Sequence, residues 1–114
     1  MFSLKMKWVR FADSIQDLEK ILGQRTIAPI KVKGGNRLLV YHNNQYYLVS
    51  SICPHQGAKL DRAACEDGKI VCPWHHFGFD LETGRGGGLY LENYPVDIRE
   101  DGVYAGFEYF SWFG

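Results

Sequence analysis

Four side chains in this sequence have the types and spacing to hold metal. Cys53 and His55 lie in one short stretch and Cys72 and His75 in another, giving the pattern C-x-H-x16-C-x-x-H. Two thiolates and two imidazoles in two clips converge on one centre only if the backbone turns sharply at each. Pro54, Gly57, Pro73 and Gly78 supply the turning residues. Three readings are open on these residues alone. Two Cys and two His form a structural zinc set, but zinc sites more often pair Cys with Cys and His with His. Here each clip mixes the two. Burial without metal is the blandest reading, and four ligand types flanked by Gly and Pro speak against it. An iron–sulfur centre is the third.

The surrounding residues favour the third. The stretches CPHQGAKL at 53–60 and CPWHHFGFDLETG at 72–84 resemble the ligand loops of the Rieske family, and the likeness runs over roughly residues 45–107. Members carry a [2Fe–2S] cluster with two Cys on one iron and two His on the other. The resemblance implies that Cys53 and Cys72 hold an inner iron and His55 and His75 an outer one. Mixed clips are what such a division requires. It also implies the family fold: stacked antiparallel sheets with the two loops, about 52–62 and 72–80, forming a small cluster-binding subdomain at one tip. A further loop, often with a proline, covers the cluster from the side, and Pro95 matches it by position.

The family divides by what surrounds the clips. The high-potential respiratory type has an extra cysteine in each loop, joined as a disulfide; Ala58 and Trp74 stand at those positions. That type also has a serine and a tyrosine two and four residues after the second His, whose hydroxyls bond sulfur. Phe77 and Phe79 stand there. Hydrogen bonds to sulfur favour the reduced cluster, so their loss predicts a potential toward the low end of the Rieske range, about −150 mV. The chain therefore resembles the soluble ferredoxins that feed oxygenases. The implied function is that of a one-electron carrier from a ferredoxin reductase to a terminal oxygenase or related oxidoreductase, docking near His55 and His75. A redox subunit of a larger respiratory or reductase complex is the alternative, and a zinc-stabilised binding module a distant third. No catalytic residue is expected: a mononuclear iron site needs two His and a carboxylate, and only His42 and His76 are left. The added electron is expected on the His-bound iron, making His55 and His75 the exit. Leu60, Phe77 and Phe79 are expected to shield the thiolates, with Trp74 adding apolar cover. His76 is read as solvent-facing or packed, and Gln56 as part of the docking rim.

The rest of the chain must position these loops. It has 114 residues, 46% hydrophobic and 15% aromatic, consistent with one domain over 1–114. Thirteen cationic and 13 acidic side chains balance, so nothing points to nucleic acid or an anionic membrane. No apolar run reaches the length of a membrane span, and MFSLKMKWVR is too charged for a signal peptide. Three cysteines leave Cys65 over once two are ligands, with no disulfide framework, which favours a reducing cytoplasmic setting. Cys65 itself is read as a small packed hydrophobe.

Residues 13–23 predict one short N-terminal helix, with Ile15, Leu18, Ile21 and Leu22 on one face, Asp13 and Gln16 as a capping box and Gly23 as the stop. After it the pattern is all-β. Strands are expected at 30–33, 37–42, 45–51, 69–72, 77–80, 94–99 and 103–110, with turns at 34–36, 43–44, 67–68 and 100–102. Residues 84–88, GRGGG, read as a flexible loop. The aromatic tail FEYFSWF at 107–113 reads as a last strand with core packing. Many short strands with regular turns make an antiparallel β-sandwich or barrel.

Overall fold

In a computed structural model the structure describes residues 2–52, 60, 63–72 and 78–112. The chain runs β1 (Phe2–Ala12), α1 (Ile15–Leu22), β2 (Ile27–Val32), β3 (Gly35–His42), β4 (Gln45–Ser50), β5 (Ala64–Glu66), β6 (Lys69–Val71), β7 (Gly78–Asp80), β8 (Arg85–Gly86), β9 (Leu89–Tyr90), β10 (Asn93–Tyr94), β11 (Val96–Arg99) and β12 (Gly102–Trp112). All described pairings are antiparallel. The sheets have strand orders β10-β4-β3-β2, β1-β12-β11 and β5-β6-β7, with β8-β9 a separate hairpin.

The four-stranded sheet is the middle layer, and β3 shows why. Leu38, Leu39 and Val40 are all fully buried, although successive strand residues point to opposite faces. Leu38, Val40, Val49 and Ile27 share one buried cluster with Ile70 and Phe79 of the small sheet. On the other face, Leu39 and Ala28 pack with Leu18 and Leu22 of the helix and Val103 of β12. Leu48 joins Ala105 and Phe107 there. A sheet covered on both faces needs a continuous apolar run, and LLV supplies it. Each such side chain contributes about 1.5–3 kcal/mol by burial.

The hairpins are tight because the turn residues accept left-handed backbone. Lys33-Gly34, Asn43-Asn44, Asp67-Gly68 and Gly87-Gly88 each have positive φ at both positions, between 50° and 80°. Each pair lies between residues in register: Val32 with Gly35, His42 with Gln45, Glu66 with Lys69, and Gly86 with Leu89. Two positive φ values in a two-residue loop match the right-handed twist of paired strands. Two sequence expectations change here. The first turn is Lys33-Gly34, with Gly35 and Asn36 already in β3. Residues 84–88 are not a flexible loop, since glycine at 87 and 88 lets β8 fold back on β9.

The helix forms where its apolar spacing places it, but its cap differs. Ser14 is the N-cap, and Asp17, not Gln16, reaches back: its Oδ2 accepts from the Asp13 N–H at 2.9 Å. Gly23 ends the helix at φ 63°, its N–H donating to the Glu19 carbonyl at 2.9 Å. Sequence reading gave no role to residues 2–12. They form β1, paired with β12 from Phe2↔Trp112 to Ala12↔Val103 with a register shift near Arg10. The expected last strand thus acquires a partner, and Phe107 is buried. β5 is also new: three residues with two exposed side chains carry too little alternation to read.

Candidate metal centre

Described residues that flank or begin the clips, Leu60, Cys72 and Phe79, share one buried cluster. The first base is built from Ser51 and Leu60. The Leu60 N–H donates to the Ser51 carbonyl at 2.7 Å, and the Ala63 N–H to the Leu60 carbonyl at 2.9 Å. Ser51, buried, donates its hydroxyl to the Asn36 carbonyl at 3.1 Å, tying this point to β3. Ser51 and Leu60, on either side of the first clip in sequence, are thus a hydrogen-bonded pair. The second base is the β6–β7 pair, where Val71 lies in register with Gly78.

Of the four expected ligands, the structure describes Cys72, which is fully buried in the same cluster as Leu60, Ile70 and Phe79. Cys53, His55 and His75 lie outside the described residues. So do Gln56, Ala58, Trp74, His76 and Phe77. The surroundings of Cys72 suit a metal-bound thiolate. A bare thiolate with no exposed surface is costly in an apolar cluster, and coordination spreads its charge. Leu60, after the first clip, and Cys72, at the start of the second, lie in this one cluster. Leu60 and Phe79 shield it as expected; both are fully buried.

The other singled-out residues fall as follows. His42 ends β3, and its Nε2 lies beside Gly68 at the far end of β6. Three strand residues, about 10 Å, separate that end from Cys72. Cys65 packs against the buried cluster from β5, and burial pushes its thiol pKa up. A raised pKa disfavours the thiolate, as a packed small hydrophobe requires. Pro95 is exposed at the crossing from β10 to β11, where its carbonyl accepts from the Gly106 N–H at 2.9 Å. Leu89, of the β8–β9 hairpin, and Leu91 pack on the cluster that holds Cys72.

Sequence reading missed Gly86. A Cβ at this position would overlap the Gly78 carbonyl oxygen and press on the Phe79 ring. Backbone thus meets backbone directly below the second clip. The hairpin is held there by the Leu91 N–H on the Gly84 carbonyl at 2.7 Å and by the Asn93 amide on the Glu82 carbonyl at 3.0 Å. The signal present in the sequence was a glycine pair with Leu89 and Leu91 alternating after it.

Comparison with known proteins decides what such a site holds. The family model described as the Rieske [2Fe-2S] domain matches residues 11–90. The chain belongs to the Rieske [2Fe–2S] domain family. Its cofactor is a [2Fe–2S] cluster, and the zinc reading falls. The Rieske chain is 33% identical over 100 residues to human Apoptosis-inducing factor 3, covering 80% of this chain and 15% of that protein. It is 32% identical over 75 residues to the ferredoxin component of the alkene monooxygenase system of Xanthobacter autotrophicus, 62% of each chain. It thus spans less than two thirds of the length of these curated relatives. Among solved structures, the ferredoxin of carbazole 1,9a-dioxygenase from Nocardioides aromaticivorans IC177 matches with a TM-score of 0.68 at 25% identity, over 87% of this chain and 96% of that one. The terminal oxygenase of the same system matches over 86% of this chain and only 29% of its own, with a TM-score of 0.69 at 20% identity, and shows the fold alone. Among the described residues no helix is long and apolar enough to cross a membrane.

Proposed function

We propose that this Rieske chain is a one-electron carrier, receiving electrons from a ferredoxin reductase and delivering them to a terminal oxygenase or related oxidoreductase. One observation carries this reading. The match to the carbazole dioxygenase ferredoxin covers 96% of that protein, so what this chain shares with it is nearly all of that ferredoxin. The alkene monooxygenase ferredoxin component supports it from sequence. In this reading residues 1–114 act as one cytoplasmic domain with no catalytic residue of its own. Cys53 and Cys72 bind one iron, and His55 and His75 the other. The bound cluster supplies the one-electron redox change. The chain's own residues do the rest. Leu60, Ile70 and Phe79 exclude water around Cys72. The Ser51–Leu60 hydrogen bond and the β6–β7 hairpin fix where the clips depart. His55 and His75 face the partner.

A second reading has its own support. The human relative is about seven times longer than the matched part, which supports a unit within a larger protein.

The test is a reconstituted chain of NADH, a ferredoxin reductase, this protein and cytochrome c. Haem reduction that depends on the protein and disappears in Cys72→Ser is the expected result. A cluster-loaded protein with a Rieske-type EPR signal that no such reductase reduces would overturn the carrier reading. The ligand assignment is checked separately: His75→Cys shifts the spectrum, whereas His76→Ala leaves it intact.

A further inference from the structure

Most sheet edges in this fold are short or blunted. β10 has two residues, β5 and β7 have three and β11 has four. β2 carries Pro29, as blunted edges do. β1 is different. It runs eleven residues with neither Pro nor Gly and, among the described residues, pairs with β12 alone. Its other side presents a row of strand N–H and C=O groups about 36 Å long. Its side chains alternate. Val9 and Phe11 turn inward onto the cluster of Ala105 and Phe107. Leu4, Met6 and Trp8 turn the other way and are 55%, 38% and 38% exposed. Met6 and Trp8 lie against Gly106, where a Cβ would press on both. The Arg99 guanidinium stacks beside them, 5.3 Å from the Trp8 ring centre and 4.3 Å from that of Tyr104. The charges of β1 are Lys5, Lys7 and Arg10, with no carboxylate. Arg10 is bound to Asp13 at 2.8 Å. Lys5 and Lys7 share the face of Val9, and their register partners are Tyr109 and Phe107. Neither lysine has an ion pair among the described residues. Glu108 stands on the opposite face, across from Met6, and Asp97 there is held by Arg99 at 2.8 Å.

We infer that the free edge of β1 takes up, as an added strand, an extended segment of a partner protein in which apolar and acidic residues alternate. Main-chain hydrogen bonds along an open edge supply affinity, and alternate side chains supply specificity. Apolar residues of the added strand lie beside Leu4, Met6 and Trp8. Its acidic residues fall on the other face, beside Lys5 and Lys7, which the protein itself leaves without a counter-charge. Leu, Met, Trp and Arg in one row also match the composition of interface cores better than that of ordinary surface. A second copy of this chain is a poor occupant. Two-fold antiparallel pairing of β1 with itself, centred on Lys5, Met6 or Lys7, sets lysine directly opposite lysine, and like charges there are destabilising. The lysines thus close the edge to its own kind and leave it open to an acidic strand. β1 lies in the sheet that covers the face of β2–β4 away from Cys72. A segment bound there leaves the clips uncovered, so the surface anchors the protein and does not carry the electron. It stands independently of the carrier reading.

The test uses cluster-loaded protein and end-blocked synthetic peptides about as long as β1. One alternates Val with Glu, a second alternates Val with Lys, and a third is the Val-Glu peptide N-methylated at two adjacent central residues, which blocks both of its edges. Anisotropy of labelled peptide measures binding, and hydrogen exchange locates it. The Val-Glu peptide should bind and slow exchange in β1, leaving the exchange of β2–β4 unchanged. The Val-Lys and N-methylated peptides should not bind. The double variant Lys5→Glu, Lys7→Glu should weaken the Val-Glu peptide by roughly tenfold at low salt and admit the Val-Lys peptide instead. Leu4→Ser should weaken the Val-Glu peptide at every salt concentration. With the peptide bound, the midpoint potential and the rate of cytochrome c reduction should stay as they are. No binding of the Val-Glu peptide, equal binding of the Val-Lys or N-methylated one, or protection arising outside β1 would each overturn this surface. So would concentration-dependent dimers whose β1 is already protected, since a second copy would then be the occupant. A protein that binds the peptide but passes no electron from a reductase to cytochrome c would sink the carrier reading and leave this surface standing.

Discussion

The two faces of the middle sheet meet different kinds of neighbour. Toward β1, β12, β11 and the helix, Leu39, Leu48 and Ala28 meet long paired strands: β1 and β12 run together over eleven residues each. Toward the clips, Leu38, Val40 and Val49 meet three strands of three residues each and a glycine-turned hairpin. The first side has ladder hydrogen bonds to spare. The second has short ladders and two loops that leave the sheet. Its order therefore depends on what the loops hold. Stability and redox chemistry are assigned to opposite faces of one sheet, and that division can be tested.

The strongest test removes the cluster. In Cys53→Ser, Cys72→Ser the clips lose two of four ligands, and the protein should lose its visible and EPR spectra entirely. Hydrogen exchange should then show protection lost in the two clip loops and weakened in β5–β7, while β2–β4 and the β1–β12 ladder stay protected. Loss of protection in β3 and β12 as well would show that the cluster supports the whole fold.

A matched pair of cavities sharpens the division. Leu39 and Ile70 are both fully buried, one on each side. Truncating either to Ala should cost about 2–5 kcal/mol in denaturant unfolding. Leu39→Ala should leave the midpoint potential and EPR g-values as they are. Ile70→Ala should move both, since Ile70 shares its cluster with Cys72. Equal spectral shifts from the two would erase the distinction.

Gly86→Ala probes the joint between hairpin and clip. Its Cβ would meet a backbone oxygen that cannot swing away, so overpacking of about 1–3 kcal/mol is expected. Because that oxygen belongs to Gly78, below the second clip, the spectrum should shift as well. Gly88→Ala is the control: φ is 80° but nothing lies within 4 Å. It carries left-handed strain of about 1–2 kcal/mol and should leave the spectrum alone.

What the sequence revealed follows the same division, seen from the other side. The clips were legible because metal chemistry demands particular residues at particular spacing. The strands β3 and β4 and the turns Asn43-Asn44 and Asp67-Gly68 were legible from apolar runs and turn residues. β1 was passed over although Leu4-Lys5-Met6-Lys7-Trp8 alternates as a strand does, and its partner lies about a hundred residues away. Pairing at that distance leaves no local trace. The hairpin at 85–90 was hidden by glycine, which marks a flexible loop and a tight turn alike until the opposite strand is seen. Gly86 was hidden for a related reason: the contact it permits is with a backbone atom eight residues earlier, and no side chain records it. Pro95 was legible as a position only. A proline marks a constrained point but not what it faces, and here it marks the crossing between two sheets.

The smallest expected effect concerns Tyr94, on the side away from the clips. Burial, and then the hydrogen bond its hydroxyl donates to Glu92 Oε2 at 2.8 Å, pushes its phenol up to about 12, although the Arg37 guanidinium over its ring pulls the other way. In the unfolded chain the phenol ionises near its ordinary value of 10.0. The folded state therefore holds the proton more tightly. Its contribution to stability is fully present below pH 10 and is lost as pH rises toward about 12. Tyr94→Phe should flatten the decline of the unfolding midpoint across that window and remove one late step from the tyrosinate absorbance titration. Because Tyr94 stacks on Phe107 with ring centroids 4.8 Å apart, and Phe107 belongs to the cluster with Leu48 and Ala105, the EPR spectrum at neutral pH should be unchanged. A spectral change in Tyr94→Phe would mean that the two faces of the middle sheet are coupled after all, through β10 and the strand β4 that it pairs with.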